Sequence, residues 1–284
     1  MNLPTKRTNN FELPVIGLGT WGMGGFYERD YGSDDARDIA AIESAIAAGV
    51  THIDVAEIYA EGHTETLVGQ AIKNFDRSKL IITSKVHPDH FAHRALVEAC
   101  EGSLERLQIE YLDLYLLHSP NQFVPIEETM KGLAEVVAKG YVKHIGVSNF
   151  SSEEITRARS RAPIPLVNNQ INYSLEARGW EDDGTIAYCE REGMLVTAYR
   201  PLGQGKILSQ PLLQSIASKY GKTPAQVAIN WLITKPGVVT LVKCATAEHL
   251  QENFGAIGWE LDEEDTSALN TKFPRGEMAY GPRK

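Results

Sequence analysis

Cysteine is scarce in this sequence, and the few present do not pair. Cys100, Cys189 and Cys244 are far apart, odd in number and form no CxxC. That excludes a disulfide frame and a CxxC metal or redox centre, and fits reduced thiols in a cytoplasmic protein. Long apolar runs are missing as well: none approaches the ~18 residues needed to span a bilayer. The start, Met1 to Arg7, lacks the apolar stretch of a signal peptide. Positive charge is in deficit, with 28 Lys and Arg against 37 Asp and Glu, a net charge of −9. This balance argues against nucleic-acid or anionic-membrane surfaces as partners. No composition shift or linker divides the chain, so one domain over residues 1–284 is expected.

What is present is a repeated alternation. Phe11 to Pro14 reads as a short strand or hairpin, and Val15 to Gly19 as a first barrel strand. Six further apolar runs end near Asp54, Val86, His118, Asn149, Tyr173 and Tyr199, and Val238 to Val242 is the last. Helical spacing follows each: after Ser33-Asp34-Asp35, from about Thr64, over Phe91–Leu107, from Pro125 to Lys139 and over Ser151–Arg159. Trp180–Glu192, Pro211–Ile233 and Glu248–Phe254 continue the series, with an extra helix over Asp262–Phe273. Strands apolar on both faces and separated by amphipathic helices predict a parallel sheet covered by helices. Eight such units in this length suit a (β/α)8 barrel, whose sites form at the C-terminal ends of the strands.

The polar residues at those ends are therefore the candidates. They are Asp54 and Tyr59, Lys85, His118, Ser148 and Asn149, Gln170, Tyr199 and Lys243. Asp54 lies in the apolar stretch Thr51–Tyr59, where a buried carboxylate needs a cationic or hydrogen-bonding partner. Lys85, on the neighbouring strand, supplies one. An ammonium beside a phenol favours the phenolate, so Lys85 is expected to lower the pKa of Tyr59. His118 could then orient a carbonyl oxygen while Tyr59 protonates it.

With these residues in order, the chain resembles the aldo-keto reductases over nearly its whole length. The likeness rests on Gly17-Leu18-Gly19-Thr20-Trp21, Ile53-Asp54 through Tyr59, Ser84-Lys85 and Leu116-Leu117-His118. It continues through Gly146-Val147-Ser148-Asn149-Phe150, Asn169-Gln170, Ala198-Tyr199 and Glu252-Asn253. The resemblance implies that NADPH reduces aldehydes or ketones, with Asp54, Tyr59, Lys85 and His118 as a catalytic tetrad. It implies that Ser148, Asn149 and Gln170 hold the nicotinamide amide and that Tyr199 stacks on the ring. Gly19, Thr20, Trp21, Asp54, Arg200, Leu202, Lys243, Cys244, His249, Glu252 and Asn253 complete the implied cofactor contacts. Trp21, Tyr27, Tyr59, His87, His118 and Asn121 would face substrate, a small carbonyl compound. The tail from Arg275 to Lys284, through Met278 and Tyr280, would close the pocket. A monomer or weak homo-oligomer is expected.

The sequence departs from the family pattern twice. His249 stands where an arginine is common, so weaker discrimination against NADH is expected, because neutral histidine adds no charge. Val86-His87 and Ser119 replace a common aromatic wall, which predicts a more polar, open pocket. Rival motifs are weaker. Gly17 to Gly22 fits GxGxxG, but no helix opens on it, since Met23 to Gly32 reads as a loop. His87, His90 and His93 with Asp89 do not share one helical face, and no metal is expected. Tyr280 to Lys284 holds Gly281-Pro282 and cannot be the one-turn pair of a doubly wound reductase. A cofactor-binding regulatory or interaction subunit on the same fold is the alternative function.

Overall fold

A computed structural model describes residues 3–8, 10–243 and 247–273. The eight barrel strands are β3 (Ile16–Gly19), β4 (His52–Asp54), β5 (Ile81–Val86) and β6 (Leu112–Leu117), then β7 (Val142–Ser148), β8 (Leu166–Asn172), β9 (Leu195–Tyr199) and β10 (Val238–Val242). All neighbours are parallel, and β10 pairs with both β9 and β3, closing the barrel. Most strand residues are buried, as expected of a sheet with side chains filling its interior and helices packed outside.

Ahead of the barrel, β1 (Thr5–Arg7) and β2 (Glu12–Pro14) form an antiparallel hairpin. Its Phe11 and Leu13 pack with Leu114, Leu116, Val167, Leu195 and Val239 in a cluster separate from the main core. Three of those partners lie at or near the starts of their strands. The hairpin therefore plugs the N-terminal end and leaves chemistry to the other end.

The outer layer runs α1 (Asp35–Ala47), α2 (His63–Ile72), α3 (His93–Leu107), α4 (Ile126–Ala138) and α5 (Ser152–Arg159), then α6 (Gly179–Asp182), α7 (Thr185–Arg191), α8 (Pro211–Tyr220), α9 (Pro224–Ile233), α10 (Ala247–Phe254) and α11 (Glu263–Lys272). Two of the expected helices prove to be pairs. Trp180–Glu192 breaks at Gly184, whose φ of 78° is left-handed. Pro211–Ile233 breaks where Gly221 caps α8 and Thr223, with Gln226, forms a capping box ahead of Pro224. Apolar periodicity runs through both breaks, while caps and positive φ end helices locally. The extra terminal helix, α11, is present. Buried Arg178 anchors its end, donating Nη1 to Asn270 O at 2.9 Å and Phe273 O at 2.7 Å while Nη2 meets Glu181 at 2.7 Å. No described helix is long and apolar enough to cross a membrane.

Candidate active site

Strand register brings the candidate residues to one end of the barrel. Asp54 closes β4, paired with Gly19 on one side and Thr83 on the other. Thr20 donates to Asp54 O through both its amide, at 3.2 Å, and its hydroxyl, at 2.8 Å. Past Asp54 the chain stays tied to β5, with Val55 N on Thr83 O at 2.9 Å and Glu57 N on Lys85 O at 3.3 Å.

The turn that follows is conformationally expensive. Ala60, Glu61 and Gly62 have φ of 48°, 57° and 88°, three consecutive left-handed residues of which only the last is glycine. Left-handed backbone costs a residue with a Cβ about 1–2 kcal/mol. Two hydrogen bonds from the turn to the β3–α1 loop offset this, Ala60 N to Phe26 O at 2.7 Å and Glu61 N to Tyr27 O at 3.0 Å. The reversal leaves Tyr59 only 8% exposed at the mouth. Behind it, Arg106 lies over Gly62, where a Cβ would come within 2.7 Å of its side chain. Arg106 is held by the fully buried Glu65, which also accepts from Ser84 on β5 at 2.5 Å.

Lys85 is the hub. Its side chain is 0% exposed, and Nζ donates to Asp54 Oδ1 at 2.6 Å and Val55 O at 2.9 Å, and lies 3.2 Å from Tyr59 OH. All three ammonium protons thus have an acceptor. Burial by itself would lower the Lys85 pKa, but the Asp54 carboxylate and the Tyr59 oxygen outweigh it and hold the amine charged. For Tyr59 the balance reverses one expectation. Burial raises its pKa above 10.0 by more than the Lys85 ammonium lowers it, so the net displacement is upward. The phenol stays protonated, and Lys85 limits the rise instead of producing a net fall.

His118 follows β6, its ring centroid 5.9 Å from that of Tyr59. Burial first, then Lys85 and His87, push its pKa well below 6.5, so the imidazole is neutral. Its Nδ1 is buried with no hydrogen-bond partner. Aromatic rings also gather at Tyr59: Trp21 meets Tyr59 edge-on at 4.7 Å and Tyr27 at 4.8 Å. The polar candidates His87 and Asn121 stand instead in the loops after β5 and β6.

There Asn121 is braced, donating to Pro88 O and accepting from Phe123 N and Val124 N. His87 is half-buried, and its amide donates to Glu57 Oε1 at 2.5 Å. The same oxygen meets His90 Nδ1 at 3.0 Å. His93, in contrast, pairs with Glu135 on α4, so only His87 and His90 share a partner.

The cofactor candidates join the same network. Gln170 Nε2 donates to Asp54 Oδ2 at 2.7 Å, while Gln170 O accepts from Asn149 N at 2.9 Å. Asn149, left-handed at φ 62°, donates to His118 O and Ser148 Oγ and accepts from Tyr199 OH at 2.9 Å. Such a backbone outlier among functional groups is the usual place for local strain. Amide and hydroxyl side chains beside an aromatic ring suit a planar carboxamide heterocycle, so these residues fit nicotinamide. Arg200 and Lys243 are exposed at the ends of β9 and β10, and Leu202 is half-buried against the main core. On α10, His249 is exposed, Glu252 half-buried and Asn253 largely buried. Cys244 and the proposed lid, with Met278 and Tyr280, lie outside the described residues.

Two groups near the site carried no signal that sequence reading used. Glu57, in the turn after β4, is only 8% exposed at its side chain and ties the β5–α3 loop. The Glu65–Arg106 pair behind the turn joins residues 41 positions apart.

Comparison with known proteins agrees with this geometry. The sequence model of the Aldo/keto reductase family matches residues 15–273. Methylglyoxal reductase YeaE of Escherichia coli is 34% identical over 273 residues, spanning 94% of this chain and 93% of that protein. The crystal structure of a thermostable aldo-keto reductase bound to the inhibitor epalrestat superposes with a TM-score of 0.92 at 40% identity, covering 95% and 99% of the two chains. An aldo-keto reductase of Klebsiella pneumoniae, solved with NADPH, superposes with a TM-score of 0.86 at 36% identity, covering 99% and 98%. This chain belongs to the aldo-keto reductase family.

Proposed function

We propose that the whole chain acts as one unit that reduces aldehydes or ketones to alcohols, with NADPH as reductant and Tyr59 as the proton donor. The observation that carries this reading is the buried Lys85 ammonium, bound at once to Asp54 and Tyr59. The complexes of related enzymes with NADP and NADPH support the choice of cofactor. When bound, NADPH supplies the hydride that the carbonyl carbon accepts.

The rest falls to the protein's own groups. Tyr59 holds its proton because burial raises its pKa, and it gives that proton to the carbonyl oxygen as charge develops there. The phenolate left behind sits against an ammonium that Asp54 keeps charged, so the transfer does not leave an isolated buried anion. Neutral His118 donates a hydrogen bond to the same oxygen without competing as an acid. Trp21 and Tyr27 give substrate an apolar face, and His87 and Asn121 border it on the polar side. The similarity to a methylglyoxal reductase makes small dicarbonyls natural first substrates. The test is NADPH oxidation over a panel from aromatic aldehydes to sugars and dicarbonyls, beside a fluorescence titration of NADPH. Turnover on any class supports the reading; tight NADPH binding with no turnover on all of them favours a regulatory subunit instead.

A further inference from the structure

We infer that Arg106, outside the barrel, is a positioning residue that holds the Tyr59 phenol at its working distance from the Lys85 ammonium. The inference rests on Tyr59 as proton donor, and Arg106 is none of the candidate cofactor or substrate contacts.

The turn after Tyr59 needs such a residue. Tyr59 O accepts from His63 N, and the three residues between are all left-handed. Two of them carry a Cβ, so neighbours hold the turn in a shape its own preferences oppose. The β3–α1 loop holds one side through Phe26 O, Tyr27 O and Met23 O, the last accepting from Thr64 Oγ1 at 2.7 Å. Arg106 holds the other. A Cβ on Gly62 would lie 2.7 Å from both Cδ and Nε of Arg106, so that side chain rests against the bare Cα. Glycine at this position therefore answers the approach of Arg106 as well as its φ of 88°.

Arg106 is itself fixed at its backbone and at its guanidinium. Helix α2 meets the end of α3 at Gly69, where a Cβ would lie 2.6 Å from Leu107 O and 2.8 Å from Arg106 O. Arg106 Nε donates to Glu65 Oε2 at 2.7 Å, and Glu65 Oε1 accepts from Ser84 Oγ at 2.5 Å. The Glu65 side chain is fully buried, so solvent screens this charge-assisted pair little. Ser84 precedes Lys85 on β5, and adjacent strand residues point to opposite faces. Ser84 therefore takes the anchor outside the barrel while Lys85 carries the ammonium within. Arg106 thus governs both ends of one distance. Through Gly62 it sets the turn that carries Tyr59; through Glu65 and Ser84 it anchors the strand that carries Lys85. That distance is the 3.2 Å between Lys85 Nζ and Tyr59 OH.

The test reads kcat per NADPH-binding site and its alkaline limb in wild type, Arg106→Lys and the double variant Arg106→Met with Glu65→Gln. The double variant removes the brace without stranding a buried carboxylate, and counting sites by NADPH fluorescence corrects for any unfolded fraction. The titratable groups facing Tyr59 are Lys85, Asp54, Tyr27 and His118, the last held neutral by burial. Releasing the turn should lower kcat per site about tenfold or more, since a misplacement of about 1 Å can cost more than that. The alkaline limb should move up, because Lys85 then opposes the upward push of burial on the phenol less. Arg106→Lys keeps a cation for Glu65 and should recover part of the rate. A wild-type kcat per site in the double variant, or an unmoved alkaline limb, would leave Arg106 a fold-holding residue and overturn the inference. Failure of the parent reading shows separately, since Tyr59→Phe would then stay active with Arg106 in place.

Discussion

Gln170 Nε2 donates to Asp54 Oδ2 at 2.7 Å while Lys85 Nζ occupies Asp54 Oδ1 at 2.6 Å. One buried carboxylate thereby joins β8 to the lysine that faces Tyr59, so a change at Gln170 reaches the proton donor through three hydrogen bonds. In Gln170→Leu the Oδ2 atom loses its donor inside the protein, which costs about 1–3 kcal/mol. NADPH binding should weaken, and the alkaline limb of the kcat profile should move. A weakened Kd with an unmoved pH profile would mean that Gln170 serves the cofactor alone.

Lys85 is expected to be indispensable for two separable reasons. Tyr59 must be protonated to donate, so reduction is fully active below its pKa and lost as pH rises through it. Lys85 opposes the upward push of burial, and Lys85→Met should shift the alkaline limb further up while kcat falls at least about a hundredfold. The same substitution strands Asp54 as an unpaired buried charge, a loss of about 3–5 kcal/mol in denaturant unfolding. Asp54→Asn with Lys85→Met should regain much of the stability and none of the activity.

Glu57 should set substrate affinity and not the chemical step. It holds His87 N and His90 Nδ1, so Glu57→Ala frees the loop that borders the pocket. KM for carbonyl substrates should rise several-fold with kcat within about twofold, because uniform binding is what is lost. Glu57→Gln keeps an acceptor for His87 N and should stay near wild type. A large fall in kcat for Glu57→Gln would instead place this carboxylate in the chemistry.

His52 should make the fold acid-sensitive. It is completely buried, with Nε2 on Thr83 Oγ1 at 3.0 Å and Nδ1 unpartnered, and burial lowers its pKa from 6.5 to about 4. The unfolded chain takes up this proton first, so stability is present above about pH 6.5 and is lost as pH falls towards about 4. The loss should total about 3 kcal/mol, at about 1.4 kcal/mol per pH unit. His52→Asn should flatten that slope in urea unfolding at pH 4.5 to 7. An unchanged slope would show that other groups carry it.

Much of the barrel and of the candidate site was legible in the chain because single residues marked it. Asp54, Lys85 and His118 each interrupt an apolar run, which is where a strand end with chemistry must lie. The GxGxxG look-alike was separable because no helix follows Gly22, and α1 indeed begins only at Asp35. What escaped depends on contacts between distant elements. The left-handed Ala60 and Glu61 are held by Phe26 and Tyr27, and Glu65 meets Arg106 across two helices. No local pattern encodes either. The sign of the Tyr59 shift escaped for the same reason: burial, helped by Asp54, outweighs the Lys85 ammonium, and that balance depends on how deeply the folded chain buries the phenol. The breaks at Gly184 and Gly221 were readable as glycines but were overridden by apolar spacing.

The central claim is that Tyr59 delivers the proton from a site that Lys85 and Asp54 support. Tyr59→Phe removes the hydroxyl and keeps the ring that packs against Trp21. Steady-state reduction of the best carbonyl substrate, beside an NADPH fluorescence titration, tests it directly. The expected result is an unchanged Kd for NADPH and a kcat reduced at least about a hundredfold, the usual worth of a positioned acid. A variant that binds NADPH as wild type does and keeps more than about a tenth of the wild-type rate would contradict the role assigned to Tyr59.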